Sequence, residues 1–206
     1  MSIIVLKSVK LPFLKYKRIN LPFEIGMNRI LLILGLAFVC CLVACTKSSL
    51  YGPVQAKAQA KIDDSLLSRF IVAHNLQGVA KHVQLNDTIG VYYIVLNPGS
   101  GQALFTTSTQ ITVGDTAKLI KNDLTETTFY ETNEFHPTYS IGAVIRAWQL
   151  GVPEILTGGE VRLLVPSRYA YGPYAQPQIG LDSLGKDGLP GNAVLDFYIT
   201  LYNVTN

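Results

Sequence analysis

The sequence predicts an antiparallel α+β domain in which one helix lies against a sheet. Two observations carry that expectation. Segments rich in β-branched and aromatic residues end at clear turn signals, as Val91–Leu96 does before Asn97-Pro98-Gly99-Ser100-Gly101. Helical periodicity is confined to a leading segment and to a short stretch around Trp148, and no internal repeat is visible.

The front of the chain is unlike the rest. Asn28-Arg29 precede the apolar run Ile30–Ala44, and Cys45 follows. A basic start, an apolar stretch and small residues before a cut site are the pattern of an export signal. The run of about 15 residues falls short of the ~20 needed to cross a bilayer as a helix. Leu42-Val43-Ala44-Cys45 resembles the bacterial lipobox, in which the cysteine is acylated and becomes the new N-terminus. Cys45 is thus the expected lipidation site, residues 27–44 the signal peptide and residues 45–53 a polar tether. Met27 is the only methionine after Met1, so translation is expected to begin there, with residues 1–26 an upstream over-extension.

Charge and cysteine content follow from this division. Of the 17 Lys and Arg and 14 Asp and Glu, the segment before Cys45 holds six basic residues and one acidic one. The remainder carries 11 basic against 13 acidic residues, which removes support for nucleic acid binding. Cys40, Cys41 and Cys45 are the three cysteines, all in the export segment. The mature domain therefore has no disulfide, thiol nucleophile or thiolate metal site.

Along the mature chain, residues 54–78 form the first element. Ile62, Leu66 and Phe70 recur at helical spacing with Leu67 and Ile71 beside them, which predicts an amphipathic helix packed on the domain that follows. Asp63-Asp64 within it are expected to be solvated. Residues 79–206 then read as sheet. Strands are expected at Val91–Leu96, Gln110–Val113, Thr116–Leu124, Glu160–Val165 and Ala193–Val204, with Gly114-Asp115 as a turn. The short helix lies near Trp148.

Conventional catalytic groups are scarce. His74, His82 and His136 show no metal-ligand spacing, so no metal is expected. No nucleophile elbow and no phosphate-binding glycine loop occurs, and no cofactor is implied.

What remains is the stretch from Ala143 to Pro173 and the chain end. Val144-Ile145-Arg146-Ala147-Trp148, Gly151, Gly159-Glu160, Val165-Pro166 and Tyr169-Ala170-Tyr171-Gly172 resemble the signature of the FKBP-type peptidyl-prolyl isomerases. Leu189-Pro190-Gly191-Asn192-Ala193-Val194-Leu195-Asp196-Phe197-Tyr198-Ile199 resembles that family's closing loop and strand. The leading helix and "GVYYIVLNPGSG" also resemble lipid-anchored members from Bacteroidetes-like bacteria.

The resemblance implies an FKBP-like half-barrel, an antiparallel sheet wrapped around a short helix. It implies cis–trans isomerisation of X–Pro bonds in proline-containing polypeptides, with macrolide-type inhibitors as further ligands. Trp148 takes the place of the pocket floor. Ile145 takes that of a backbone N–H donor to a ligand carbonyl, and Tyr171 that of a hydroxyl donor to a second one. Val144, Phe129, Tyr130, Leu189 and Phe197 take substrate-binding wall positions. The implied setting is the cell envelope, with a lipid anchor in the outer membrane and the domain facing the periplasm. The alternative is a weakly active binding or chaperone module of the same fold.

Two departures bear on that alternative. Lys121 and Asp123 stand where the family's strand has tyrosine and glycine, and Tyr130 stands where it has an acid. A cavity without its acid implies slow turnover, which Tyr130→Asp should raise. The loop Pro173–Gly188 is long for the family and is expected to hang over the pocket mouth.

Overall fold

The first element is helix α1, Pro53–Ala73. Pro53 suits the first helical position, where its missing N–H would have had no partner and its φ is already fixed. The Gly52 N–H donates to Gln55 Oε1 at 3.2 Å, which satisfies a group at the helix start. The computed structural model describes residues 51–206 except 86, 87, 102 and 103. The expected signal segment 27–44, the start at Met27 and the acylated Cys45 lie outside the described residues.

Among the described residues seven strands follow: β1 Lys81–Leu85, β2 Thr88–Asn97, β3 Gln110–Ile120, β4 Glu126–Glu131, β5 Thr138–Ser140, β6 Glu160–Val165 and β7 Val194–Thr205. They form one antiparallel sheet in the order β1-β2-β6-β7-β3-β4. β5 shares the outer edge of β3 with β4. It pairs Gln110–Thr112, whereas β4 pairs Thr116–Ile120. Helix α2, Arg146–Gly151, lies on the concave face, and helix α3, Leu181–Leu184, falls in the loop before β7.

The two faces of the sheet bury separate cores. The concave face holds Val91, Ile111, Val113, Leu163, Leu195 and Phe197 against Trp148 and Val152. The convex face packs Ile120, Leu164 and Val194 against Leu66, Leu67, Phe70 and Ile71 of α1. Each fully buried side chain of this size contributes about 1.5–3 kcal/mol, so α1 is an integral second layer. Gly151 sets the close approach of α2, because a Cβ there would come within 2.4 Å of Leu163 Cδ2.

Three expectations are corrected. Gly114-Asp115 is not a turn: β3 runs unbroken through it, with Gly114 opposite Thr200 and Asp115 opposite Ile199 on β7. Ile111, Val113, Asp115 and Ala117 are all buried, so a period-two pattern continues through the Gly-Asp pair. The turn falls instead at Lys121–Thr125. There the Lys121 N–H donates to the Thr125 carbonyl at 2.9 Å, and Leu124 takes a left-handed φ of +68°.

The apolar stripe of α1 also starts later than its periodicity suggested. Ile62 is 57% exposed, while Asp63 is buried. Asp63 is not solvated, because its Oδ2 accepts the Ser167 N–H at 2.9 Å and the Ser167 hydroxyl at 2.7 Å. Asp64 pairs with Arg168 Nη2 at 2.7 Å. A second buried acid, Asp196 on β7, accepts a forked pair of hydrogen bonds from Arg162 Nε and Nη2 at 3.0 and 2.6 Å. Burial pushes the Asp196 carboxyl up, against the pull of Arg162.

Candidate active site

Between α2 and the concave face of the sheet lies a cavity of about 470 Å³. Trp148 is fixed at its base by the geometry of α2. Ile145 is the N-cap, and its carbonyl accepts the Trp148 N–H at 3.0 Å. The indole is 6% exposed, meets Phe197 edge-on at 5.7 Å and Tyr139 at 6.0 Å, and lines the cavity. Its Nε1–H is buried without a hydrogen-bond partner among the described residues. These edge-to-face contacts fix the indole as an aromatic part of the cavity lining.

Val144 and Ile145 reach the cavity from the segment leading into α2. The Val144 carbonyl accepts a hydrogen bond from Gln149 Nε2 at 2.9 Å. In a trans peptide the N–H points opposite to the C=O, so the Ile145 N–H is directed away from Gln149. Among the described residues it donates to no protein acceptor. Tyr171 arrives from the turn after β6. Burial, then the nearby Asp115, raise its phenol above the ordinary value, which keeps it a neutral donor.

Phe129 and Tyr130 line the cavity from β4, Tyr139 from β5 and Phe197 from β7. Burial, followed by the neighbouring Tyr130, pushes the Tyr139 phenol up to about 12. Leu189 differs from its expected place as a wall residue. It is fully buried in the concave core and is not among the cavity-lining residues. Its backbone pairs with Gln176 in both directions, at 2.8 and 3.1 Å, and so ties down the long loop. That loop folds back on the cavity. Ile179 is part of the lining, and Gly180, with φ +72°, lies so close to Phe129 that a Cβ would sit 2.8 Å from it.

Sequence reasoning missed five of the lining residues, Asp115, Ala117, Tyr139, Ala143 and Ile179, and of these only Asp115 carries a carboxyl. Asp115 projects from β3 and is 6% exposed. Burial alone pushes its carboxyl up to about 6. Lys121 and Asp123, expected at strand positions, instead lie in the β3–β4 turn, and Ala117 of β3 lines the cavity. The expectation of a cavity without an acid is therefore corrected. The acid is present, on the strand next to Tyr130. The alternation Ile111, Val113, Asp115, Ala117 was the available signal.

An antiparallel sheet closed over one short helix, with an aromatic cavity between them, defines an FKBP-like fold. Residues 102–202 match the model of the FKBP-type peptidyl-prolyl cis-trans isomerases, and the chain carries an isomerase domain of that family. FK506-binding protein 1 of Candida glabrata is 29% identical over 122 residues, 58% of this chain and 99% of that protein. FK506-binding protein 1 of Saccharomyces cerevisiae is 28% identical, over 53% of this chain and 88% of its own. Among solved structures, FkpA from Escherichia coli is similar with a TM-score of 0.55 and 21% identity, covering 88% of this chain and 74% of FkpA. A peptidyl-prolyl cis-trans isomerase from Pseudomonas syringae has the same TM-score and 19% identity, covering 73% and 96%. These two likenesses concern the fold.

Proposed function

We propose that this isomerase acts on proline-containing segments of exported polypeptides, held by an acylated Cys45 to the outer membrane and facing the periplasm. The observation that carries the catalytic part is the aromatic cavity over Trp148 with the Tyr171 hydroxyl and the Ile145 N–H at its wall. The proline ring rests on the indole. The two donors take up carbonyls on either side of it and hold them while the bond between them turns.

The chemistry needs no nucleophile. Rotation about the X–Pro bond is opposed by amide resonance, a barrier of ~18–20 kcal/mol. At the top of that barrier the amide has lost its double-bond character and much of its charge separation. A cavity walled by Phe129, Tyr139, Trp148 and Phe197 solvates the planar, polar amide poorly and tolerates the twisted one. The twisted state thus gains relative to the planar one, which is the condition for acceleration. Fixing the flanking carbonyls adds orientation without a covalent step.

An isomerisation assay of the purified chain on proline tetrapeptides tests this reading. Accelerated exchange that falls with Trp148→Leu is expected, and binding without acceleration would instead make the domain a holding module. The anchor is tested separately by labelling cells with a fatty acid. Label on the wild-type chain and none on Cys45→Ala is expected, and persistence of label on the variant would overturn it.

A further inference from the structure

Asp115 differs in kind from everything else in the cavity. It is a carboxylate on the buried face of β3 between Val113 and Ala117, and its Oδ1 is buried with no hydrogen-bond partner among the described residues. An ionisable group left in this state is costly, and a partner brought by a ligand would remove the cost. The strand around it is held firmly. The Asp115 N–H donates to Thr132 Oγ1 at 2.9 Å, and its carbonyl accepts the Thr132 N–H at 3.0 Å. The side chain is therefore presented to the cavity by a rigid backbone.

The surroundings narrow the missing partner to a cation. Among the described residues no Lys, Arg or His lines the cavity. Tyr130, Tyr139, Tyr171 and Trp148 surround the space with aromatic faces. Such faces attract a cation, and a carboxylate among them completes its charge and hydrogen bonding. An apolar ligand would use the faces and leave Oδ1 unpaired, and an acidic one would be repelled.

We propose that Asp115 is the specificity determinant of this cavity, selecting segments that carry a lysine or arginine side chain next to the proline. The inference rests on the isomerase reading of the same cavity. The methylene stem of the basic residue lies along the aromatic wall while its charged end reaches Oδ1. Polypeptides with a basic residue beside proline are turned over in preference to those with an apolar or acidic one.

Selection also depends on Asp115 being ionised. The titratable groups that share the cavity with it are the phenols of Tyr130 on β4, Tyr139 on β5 and Tyr171 after β6. Ile199 opposite it on β7 and Trp148 on α2 carry no charge, and His136 lies beside Gly114, the neighbouring strand residue. With its carboxyl pushed up to about 6, Asp115 is the cavity-lining group among the described residues that changes charge in mildly acidic solution.

The test is the isomerisation rate of three peptides, Ala-Lys-Pro-Phe, its norleucine counterpart and Ala-Glu-Pro-Phe, by magnetisation exchange in NMR with the full chain. No protease takes part, so no second specificity intrudes. Near pH ~8, kcat/KM is expected to be about tenfold higher for lysine than for norleucine, and lowest for glutamate. In Asp115→Asn the lysine preference should fall to about unity, as should that of the wild type near pH ~5. Absence of the preference in the wild type, or its survival in Asp115→Asn, would overturn the proposal. If Asp115→Asn does not fold, the two pH values decide. If no peptide is turned over, the isomerase reading fails, and Trp148 fluorescence titrations with the same peptides still measure the preference.

Discussion

Gln149 holds Val144. Its Nε2 donates to the Val144 carbonyl at 2.9 Å, while Arg146 Nη1 donates to Gln149 Oε1 at 2.8 Å and fixes the amide's orientation. The Val144 carbonyl and the Ile145 N–H belong to one planar peptide, so the direction of the first sets that of the second. A residue outside the cavity thereby sets the direction of the N–H of Ile145, which lines it.

Removing this clamp should cost rate rather than fold. Gln149 is half-buried, and Gln149→Leu keeps its bulk but not its donor. A fall in kcat/KM of about tenfold is expected, carried mainly by kcat, because the loss of orientation is felt most in the twisted state. Melting should move by only a few degrees, as for the loss of one half-exposed hydrogen bond worth about 1 kcal/mol. An unaltered rate would show that the remainder of the loop suffices to aim the Ile145 N–H.

Trp148→Leu separates a pocket floor from an ordinary core residue. The indole supplies both packing against Phe197 and a surface open to the cavity. Leucine fills part of the volume, so a stability loss of about 1–3 kcal/mol is expected in urea unfolding. Affinity for a proline peptide should fall about tenfold or more, since the flat surface is gone. Unchanged affinity in a folded variant would make the tryptophan core alone.

The sequence exposed the frame of the site better than its electrostatics. Trp148, Tyr171, Ile145, Val144, Phe129, Tyr130 and Phe197 come from separate segments and share one cavity, and each lies within or beside a quotable motif. Asp115 escaped because Gly-Asp is a common turn pair, and reading it as a turn broke the strand whose alternation places Asp115 on the buried face. Leu189 was apolar and in the right loop, but wall and core use the same residue types. The burial of Asp63 depends on Ser167, 104 positions away, a contact that no local periodicity reports.

That distant contact has a measurable weight. Asp63 ties α1 to the turn Ser167–Tyr169, which leads directly to Tyr171. Asp63→Ala would leave the buried Ser167 N–H and hydroxyl without their acceptor, at a cost of about 2–3 kcal/mol. Asp64→Ala, which removes a partly exposed pair with Arg168, should cost less than about 1 kcal/mol. Equal effects of the two substitutions in urea unfolding would refute the distinction.

Tyr130→Asp is now expected to slow the enzyme, the reverse of what the sequence suggested. Tyr130 pairs with Ala117, two residues from Asp115, so the variant would place two carboxylates in one poorly hydrated cavity. Each would disfavour ionisation of the other, and an aromatic wall would be lost as well. A drop in kcat/KM of about tenfold is expected. A rise would mean that negative charge acts from the Tyr130 position and that Asp115 has no share in turnover.

The Asp115 carboxyl should also leave a signature in stability. Its folded value is pushed up to about 6 from an ordinary 3.8 by burial. Between those values the native state keeps a proton that the unfolded chain has released, so stability falls as pH rises through that window. Below about pH 3 both states are protonated and the group contributes nothing; above about pH 7 the native state bears the full penalty, up to about 3 kcal/mol. Asp115→Asn removes the titration and little else. Asp196 is unchanged in both proteins, so its own pH dependence cancels in the comparison. The stability of Asp115→Asn relative to wild type should therefore grow from near zero at about pH 3 to about 2–3 kcal/mol at about pH 8, read from urea unfolding at each pH. A difference that stays constant across this range would show that Asp115 is ionised throughout, with a partner inside the folded protein, and would remove the basis for its vacancy toward a basic ligand.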